Sequence, residues 1–102
     1  MCGAPTQEGL APLTAEQLAD QAVVQGVVRS GGTGVAGAYV RLLDASGEFV
    51  AEVQTSATGH FRFFAAPGEW RLSVLARGGA KGAATVTAER GVASEAEVEL
   101  GG

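Results

Sequence analysis

The run Thr58-Gly59-His60-Phe61-Arg62-Phe63-Phe64-Ala65-Ala66-Pro67-Gly68-Glu69-Trp70-Arg71-Leu72-Ser73-Val74-Leu75 decides the fold. Thr58-Gly59 opens it as a turn, and Pro67-Gly68 divides it. Phe61 and Phe63 alternate with His60 and Arg62, and beyond the divide Trp70, Leu72 and Val74 alternate with Glu69, Arg71 and Ser73. A period of two sends one set of side chains to a buried face and the other to water, the signature of half-buried strands. Phe64 breaks the alternation, because Phe63 and Phe64 cannot both face inward on a regular strand. It is expected to cover the sheet's end near Pro67; the other reading is an exposed anchor for a partner.

The same period extends outward in both directions. Strands are predicted over residues 23–29, 38–44, 48–54, 60–64 and 69–76, with weaker ones over 82–87 and 93–100. Turn signals rich in Gly, Ser, Asp and Pro separate them every 8–12 residues, as in a sandwich or barrel. Val40/Leu42, Phe49/Ala51/Val53, Phe61/Phe63, Trp70/Leu72/Val74 and Ala96/Val98/Leu100 are expected to face inward. Tyr39/Arg41/Leu43, Glu52, Arg62/Phe64, Arg71/Ser73 and Glu95/Glu97/Glu99 are expected to face outward. Residues 1–20 differ: they hold two of the three prolines and no β-rich run. They are read as a flexible arm, with Thr14 and Gln17 forming a capping box that could open a short helix over 14–20. Residues 21–102 make the sandwich domain.

Composition limits what such a domain can do. The 102 residues suffice for one domain, and 46% of them are hydrophobic, enough for a core built from Val, Leu, Ala and four Phe. Eleven acids against seven bases leave a net charge of −4, which disfavours a general nucleic-acid binder. One Cys and one His cannot form a structural zinc site or an internal disulfide, so neither metal nor cofactor is expected. No run approaches the roughly 20 apolar residues of a membrane span. The first residues have no basic or apolar region of a signal peptide. A cytoplasmic protein with Cys2 reduced is therefore expected.

The order of the pieces resembles the carboxypeptidase regulatory-like, transthyretin-like module. The residues that carry the resemblance are Gly34-Val35-Ala36-Gly37-Ala38-Tyr39-Val40, Thr58-Gly59-His60-Phe61-Arg62-Phe63 and Pro67-Gly68-Glu69-Trp70-Arg71-Leu72. It covers roughly residues 24–79 and implies an all-β, seven-stranded Greek-key sandwich of the prealbumin or Ig type, with its second, third and fifth strands in one sheet. Met1-Cys2-Gly3-Ala4-Pro5-Thr6-Gln7, residues 37–44, 47–53 and 56–68 are also similar to the actinobacterial SseC family. That resemblance implies a link to sulfur metabolism, because genes of the family commonly adjoin a rhodanese-like thiosulfate sulfurtransferase. Residues 80–102 carry no recognised motif.

Cys2 is the first candidate for chemistry. Removal of Met1 would place a free α-ammonium beside the thiol, and that charge favours the reactive thiolate. Such a thiol could accept a sulfane sulfur from a sulfurtransferase or dock into its active site; the plain alternative is an inert terminal cysteine. His60 alone could titrate near neutrality, but the favoured reading is a solvent-exposed residue at a strand end. Arg41, Arg62 and Arg71 point outward. With Tyr39, Arg41 and Arg71 could bind a small anion such as thiosulfate, or an acidic partner surface. The structural alternative is cross-strand pairing, for instance of Arg41 with Glu52. Glu95, Glu97 and Glu99 form an acidic comb that would guard a sheet edge. Trp70 should fill the core and give its N–H to a backbone acceptor. Leu43 and Leu75, with Tyr39, could make an apolar patch on the outer face.

Three functions follow. The first is a non-catalytic accessory protein that binds a rhodanese-type sulfurtransferase, with Cys2 as sulfur acceptor or adaptor. The second is an interaction module that uses the face around Tyr39, Arg41 and Arg71. An independent enzyme is the weakest reading: the transthyretin-like fold hosts hydrolases, but their His and Arg constellation is absent and only His60 is available.

Overall fold

A computed structural model describes residues 21–101, as eight β-strands and no helix. The predicted arm, the helix over 14–20 and Cys2 lie outside the described residues. The strands are β1 (Ala22–Ser30), β2 (Thr33–Gly34), β3 (Tyr39–Leu43), β4 (Phe49–Gln54), β5 (His60–Ala65), β6 (Gly68–Leu75), β7 (Lys81–Ala88) and β8 (Ala93–Glu99). The eighth strand relative to expectation is β2, two residues that fold back antiparallel on the end of β1 through the turn at Gly31 and Gly32.

Two sheets face each other. In one, β1 lies between β5, which runs antiparallel, and β8, which runs parallel. In the other, the order is β4-β3-β6-β7, all antiparallel. Thus β6 returns beside β3 after the chain has crossed to the opposite sheet as β5, a Greek-key path. The expected placement of the second, third and fifth strands in one sheet holds: these are β3, β4 and β6.

Between the sheets lie Val24 and Val28 of β1, Val40 and Leu42 of β3, Phe61 and Phe63 of β5, Leu72 and Val74 of β6, and Val98 of β8, all buried. The two phenylalanine rings meet at 6.2 Å and 55°, a favourable tilted contact. Trp70 packs against this cluster, and its indole Nε1 donates to the Ala66 carbonyl at 2.8 Å, as expected of a tryptophan with one polar atom to satisfy.

Two expectations about faces fail, for separate reasons. Phe49 was expected inward but is 58% exposed. The β3–β4 register shifts between Leu42 and Leu43, so that Leu42 opposes Ala51 while Leu43 opposes Phe49. The extra residue of this bulge turns Phe49 to the outer side, where the Arg41 guanidinium sits 5.6 Å from its ring centroid. Phe64 was expected over the sheet's end. It instead keeps the outward parity that the alternation also gave it, half exposed and opposite Val23 of β1.

Gly59 fixes the junction of β1, β2 and β5. Its φ is +88°, and a Cβ there would lie 2.5 Å from the Val28 carbonyl oxygen and 2.8 Å from the Val35 nitrogen. Only glycine accepts both that conformation and that approach. The Gly59 carbonyl in turn accepts from the Val28 N–H at 2.8 Å.

Candidate binding face

The two outer faces of the sandwich spend their polar groups differently. On the β1 sheet the register sets Arg62, Gln25 and Glu95 in one row across β5, β1 and β8. Arg62 Nε donates to Gln25 Oε1 at 2.8 Å, and Gln25 Nε2 donates to Glu95 Oε2 at 2.6 Å. Further along, Arg29 Nη1 pairs with Glu97 at 2.7 Å, and the Gly31 N–H donates to Glu99 at 2.9 Å. The acidic comb is therefore engaged with β1 and the turn that follows it, as well as lining a sheet edge.

His60 sits exposed at the start of β5. Its Nδ1 shares a 2.8 Å hydrogen bond with the Thr58 hydroxyl, which lies 3.2 Å from Ser56 Oγ. The Ser56 Oγ also accepts from the His60 N–H at 3.1 Å. These bonds tie one turn of chain together, and no carboxylate among the described residues orients the imidazole as a catalytic triad requires. Among the described residues no three His, Cys, Asp or Glu side chains gather as metal ligands would.

The β3 sheet differs. Its outer rows run Gln54–Tyr39–Leu75–Lys81, then Glu52–Arg41–Ser73–Ala83, then Phe49–Leu43–Arg71–Thr85. Tyr39, Phe49, Val50 and Leu75 are large, apolar and exposed. Arg41 Nε donates to Glu52 at 3.1 Å, the cross-strand pairing named from sequence. That bond and the Phe49 contact draw Arg41 toward β4 and away from Arg71. The two arginines share a face, as expected, but they do not converge on one ligand. Arg71 makes no ion pair among the described residues, nor does Lys81.

Between Arg71 and its neighbours lies a shallow depression of about 370 Å³, bordered by Leu43, Arg71, Ser73, Ala83 and Thr85. Thr85 and Ala83 escaped the sequence reading because β7 looked weak. The alternation Lys81/Ala83/Thr85/Thr87 against Gly82/Ala84/Val86/Ala88 was the available signal.

The loop that feeds this face is firmly held. Thr55 is 1% exposed; its hydroxyl donates to the Val35 carbonyl at 2.5 Å and accepts from the Ala38 N–H at 2.9 Å. At the opposite end of β3, the Asp44 carboxylate accepts from the Ser46 hydroxyl at 2.7 Å, from the Glu48 N–H at 2.9 Å and from the Ser46 N–H at 3.0 Å. These donors favour the ionised form, the Ser46 hydroxyl most, and lower the Asp44 pKa.

The arrangement is a small two-sheet β-sandwich with one saturated face and one open face. The chain belongs to the family described as "Protein of unknown function (DUF1416)", whose model matches residues 2–100. It is 52% identical over 80 residues to the uncharacterized protein Rv0814c of Mycobacterium tuberculosis, covering 78% of this chain and 79% of that one. A Mycolicibacterium smegmatis protein, also described as uncharacterized, is 56% identical over 63 residues, 61% of this chain and 70% of its own. Among solved structures, a DUF3823 family protein from Parabacteroides merdae superposes with a TM-score of 0.61 at 16% identity. The superposition covers 80% of this chain and 46% of that one, and it shows the shared sandwich fold. No helix among the described residues is long and apolar enough to cross a membrane.

Proposed function

We propose that this protein is a non-catalytic binding module that docks an acidic protein surface on the outer face of its β3 sheet. The observation that carries the reading is the combination on one face of exposed Tyr39, Leu75 and Phe49 with two cations, Arg71 and Lys81, that have no ion-pair partner among the described residues. Aromatic and aliphatic anchors beside free cations are what a protein contact uses, and the unspent positive charge selects an acidic counterpart.

The resemblance to the SseC family makes a rhodanese-type sulfurtransferase the first partner to test, in the cytoplasm. In that setting the Cys2 thiolate attacks the outer sulfur of a donor persulfide. A new S–S bond forms as the donor's breaks, and the donor cysteine leaves as thiolate.

Purified wild-type protein, Cys2→Ser and Arg41→Glu, each titrated against the sulfurtransferase, separate the two roles. Docking through the face requires that Arg41→Glu abolish binding while Cys2→Ser binds as wild type does. The acceptor role requires that Cys2 gain the mass of one sulfur after incubation with sulfurtransferase and thiosulfate. An unchanged mass removes it.

A further inference from the structure

We infer that the depression beside Arg71 is a carboxylate-binding site that takes an acidic side chain from an extended partner segment; this rests on the docking reading above. Three observations carry it. First, the β6–β7 register sets Arg71 directly opposite Thr85, and Ser73 lies two residues along the same face. A guanidinium and two hydroxyls thus border one depression, whose floor is lowered by the small side chains at Ser73 and Ala83.

Second, these groups are unspent. Arg41, the residue opposite Ser73, is committed to Glu52 and Phe49. Glu69, the same-face acid two residues before Arg71, makes no ion pair with it. The Arg71 fork therefore keeps its donors. Third, the chemistry selects the ligand class. A guanidinium only donates, and a hydroxyl can donate, so the site matches a group that only accepts, in a planar geometry that allows two parallel bonds. An ionised carboxylate is that group. An ammonium or a neutral amide would leave the Arg71 charge unanswered.

The surroundings favour a side chain over a free anion. Leu43 forms one wall of the depression, and Tyr39 and Leu75 continue the face as exposed apolar surface. A glutamate stem can lie against Leu43 while neighbouring apolar residues of the segment cover Tyr39 and Leu75. Because the depression is open, most of the affinity must come from those flanking contacts.

The test is a titration of the full-length, isotopically labelled chain followed by NMR. The probes are sodium acetate at constant ionic strength, an end-capped pentapeptide with one glutamate among valines, and its glutamine twin. With the glutamate peptide, the Ser73 and Thr85 amides and the Arg71 Nε–H shift together and saturate. Replacing glutamate by glutamine, or Arg71 by Gln, weakens binding by about tenfold or more, as loss of a charge-assisted bond requires. Thr85→Val, which keeps the shape, weakens it less. Shifts with acetate equal to those with peptide would overturn the side-chain source in favour of a free anion. An Arg71→Gln protein that titrates like wild type, or no shift with any probe, overturns the site. If Arg71→Gln still binds an acidic partner that Arg41→Glu loses, the docking face stands and the carboxylate site falls.

Discussion

Replacing Thr55 by Val tests whether one buried hydroxyl holds the loop that presents the binding face. Thr55 makes four bonds to residues 35–38: its N–H to the Ala38 carbonyl at 2.9 Å, its carbonyl to the Gly37 N–H at 3.2 Å, and the two hydroxyl bonds to Ala38 and Val35. Valine keeps the shape and the backbone bonds but removes the hydroxyl pair. The Ala38 N–H is then left in a residue with no exposed surface, and the Val35 carbonyl loses its donor. The buried Ala38 N–H costs about 1–3 kcal/mol and the half-buried Val35 carbonyl about 1 kcal/mol, so the variant should lose about 2–4 kcal/mol. In a domain of this size 1 kcal/mol moves the melting midpoint by about 4–8 °C, which predicts a fall of about 8–30 °C. Trp70, the single tryptophan, reports urea unfolding by fluorescence. Thr55→Ser keeps the hydroxyl and loses one methyl, a cost of about 1 kcal/mol. A Val variant within about 0.5 kcal/mol of wild type, or a Ser variant as unstable as Val, would refute the reasoning.

Three further outcomes follow from the same geometry. Gly59→Ala should destabilise by at least about 2 kcal/mol in urea unfolding, since a Cβ meets backbone atoms at a positive φ. A double-mutant cycle on Arg41 and Glu52 should give a coupling below about 1 kcal/mol, because the Arg41 side chain is 59% exposed and water screens the pair. Asp44 has a lowered folded pKa, so its carboxylate stabilises the fold fully above the ordinary value of 3.8 and loses that contribution as pH falls through the folded value. The stability gap between wild type and Asp44→Ala, measured by thermal melts, should therefore narrow on acidification.

Strand positions were legible because burial on one side of a strand imposes a period of two on the sequence itself. Phe61/Phe63 and Leu72/Val74 show it without ambiguity, and all four are buried. β1 is less legible. Val23 and Val24 are adjacent yet both have no exposed surface, so burial does not alternate there as it does on β5 and β6. The bulge at Leu42/Leu43 was also invisible, because it depends on how β3 meets β4 across the Asp44–Glu48 turn. The binding face was half legible. Period two placed Tyr39, Arg41, Arg71 and Ser73 outward, and the Arg41–Glu52 pair was within reach of the sequence, but only the register shows that Arg71 faces Thr85. Register is a relation between distant segments, and a single strand's pattern does not contain it.

The contrast between the faces also bears on which of them recognises a partner. A polar group already paired in its own chain must lose that bond before it can serve another molecule, so its net gain on binding is small. On the β1 sheet, Arg29, Arg62, Gln25, Glu95 and Glu97 are all paired in this way. On the β3 sheet, Arg71 and Lys81 have no such bond among the described residues to give up, and the apolar groups beside them already face water. Covering that surface releases water from Tyr39 and Leu75 and answers two cations without breaking a contact in the fold. Arg41 marks the border between the two behaviours. Held by Glu52 and Phe49, it is more useful as a fixed rim than as a ligand, which is why Arg41→Glu should act by repelling an acidic partner whereas Arg71→Gln should act by removing a bond. The two variants therefore differ in salt dependence: added salt should partly restore binding to Arg41→Glu, and should restore none to Arg71→Gln.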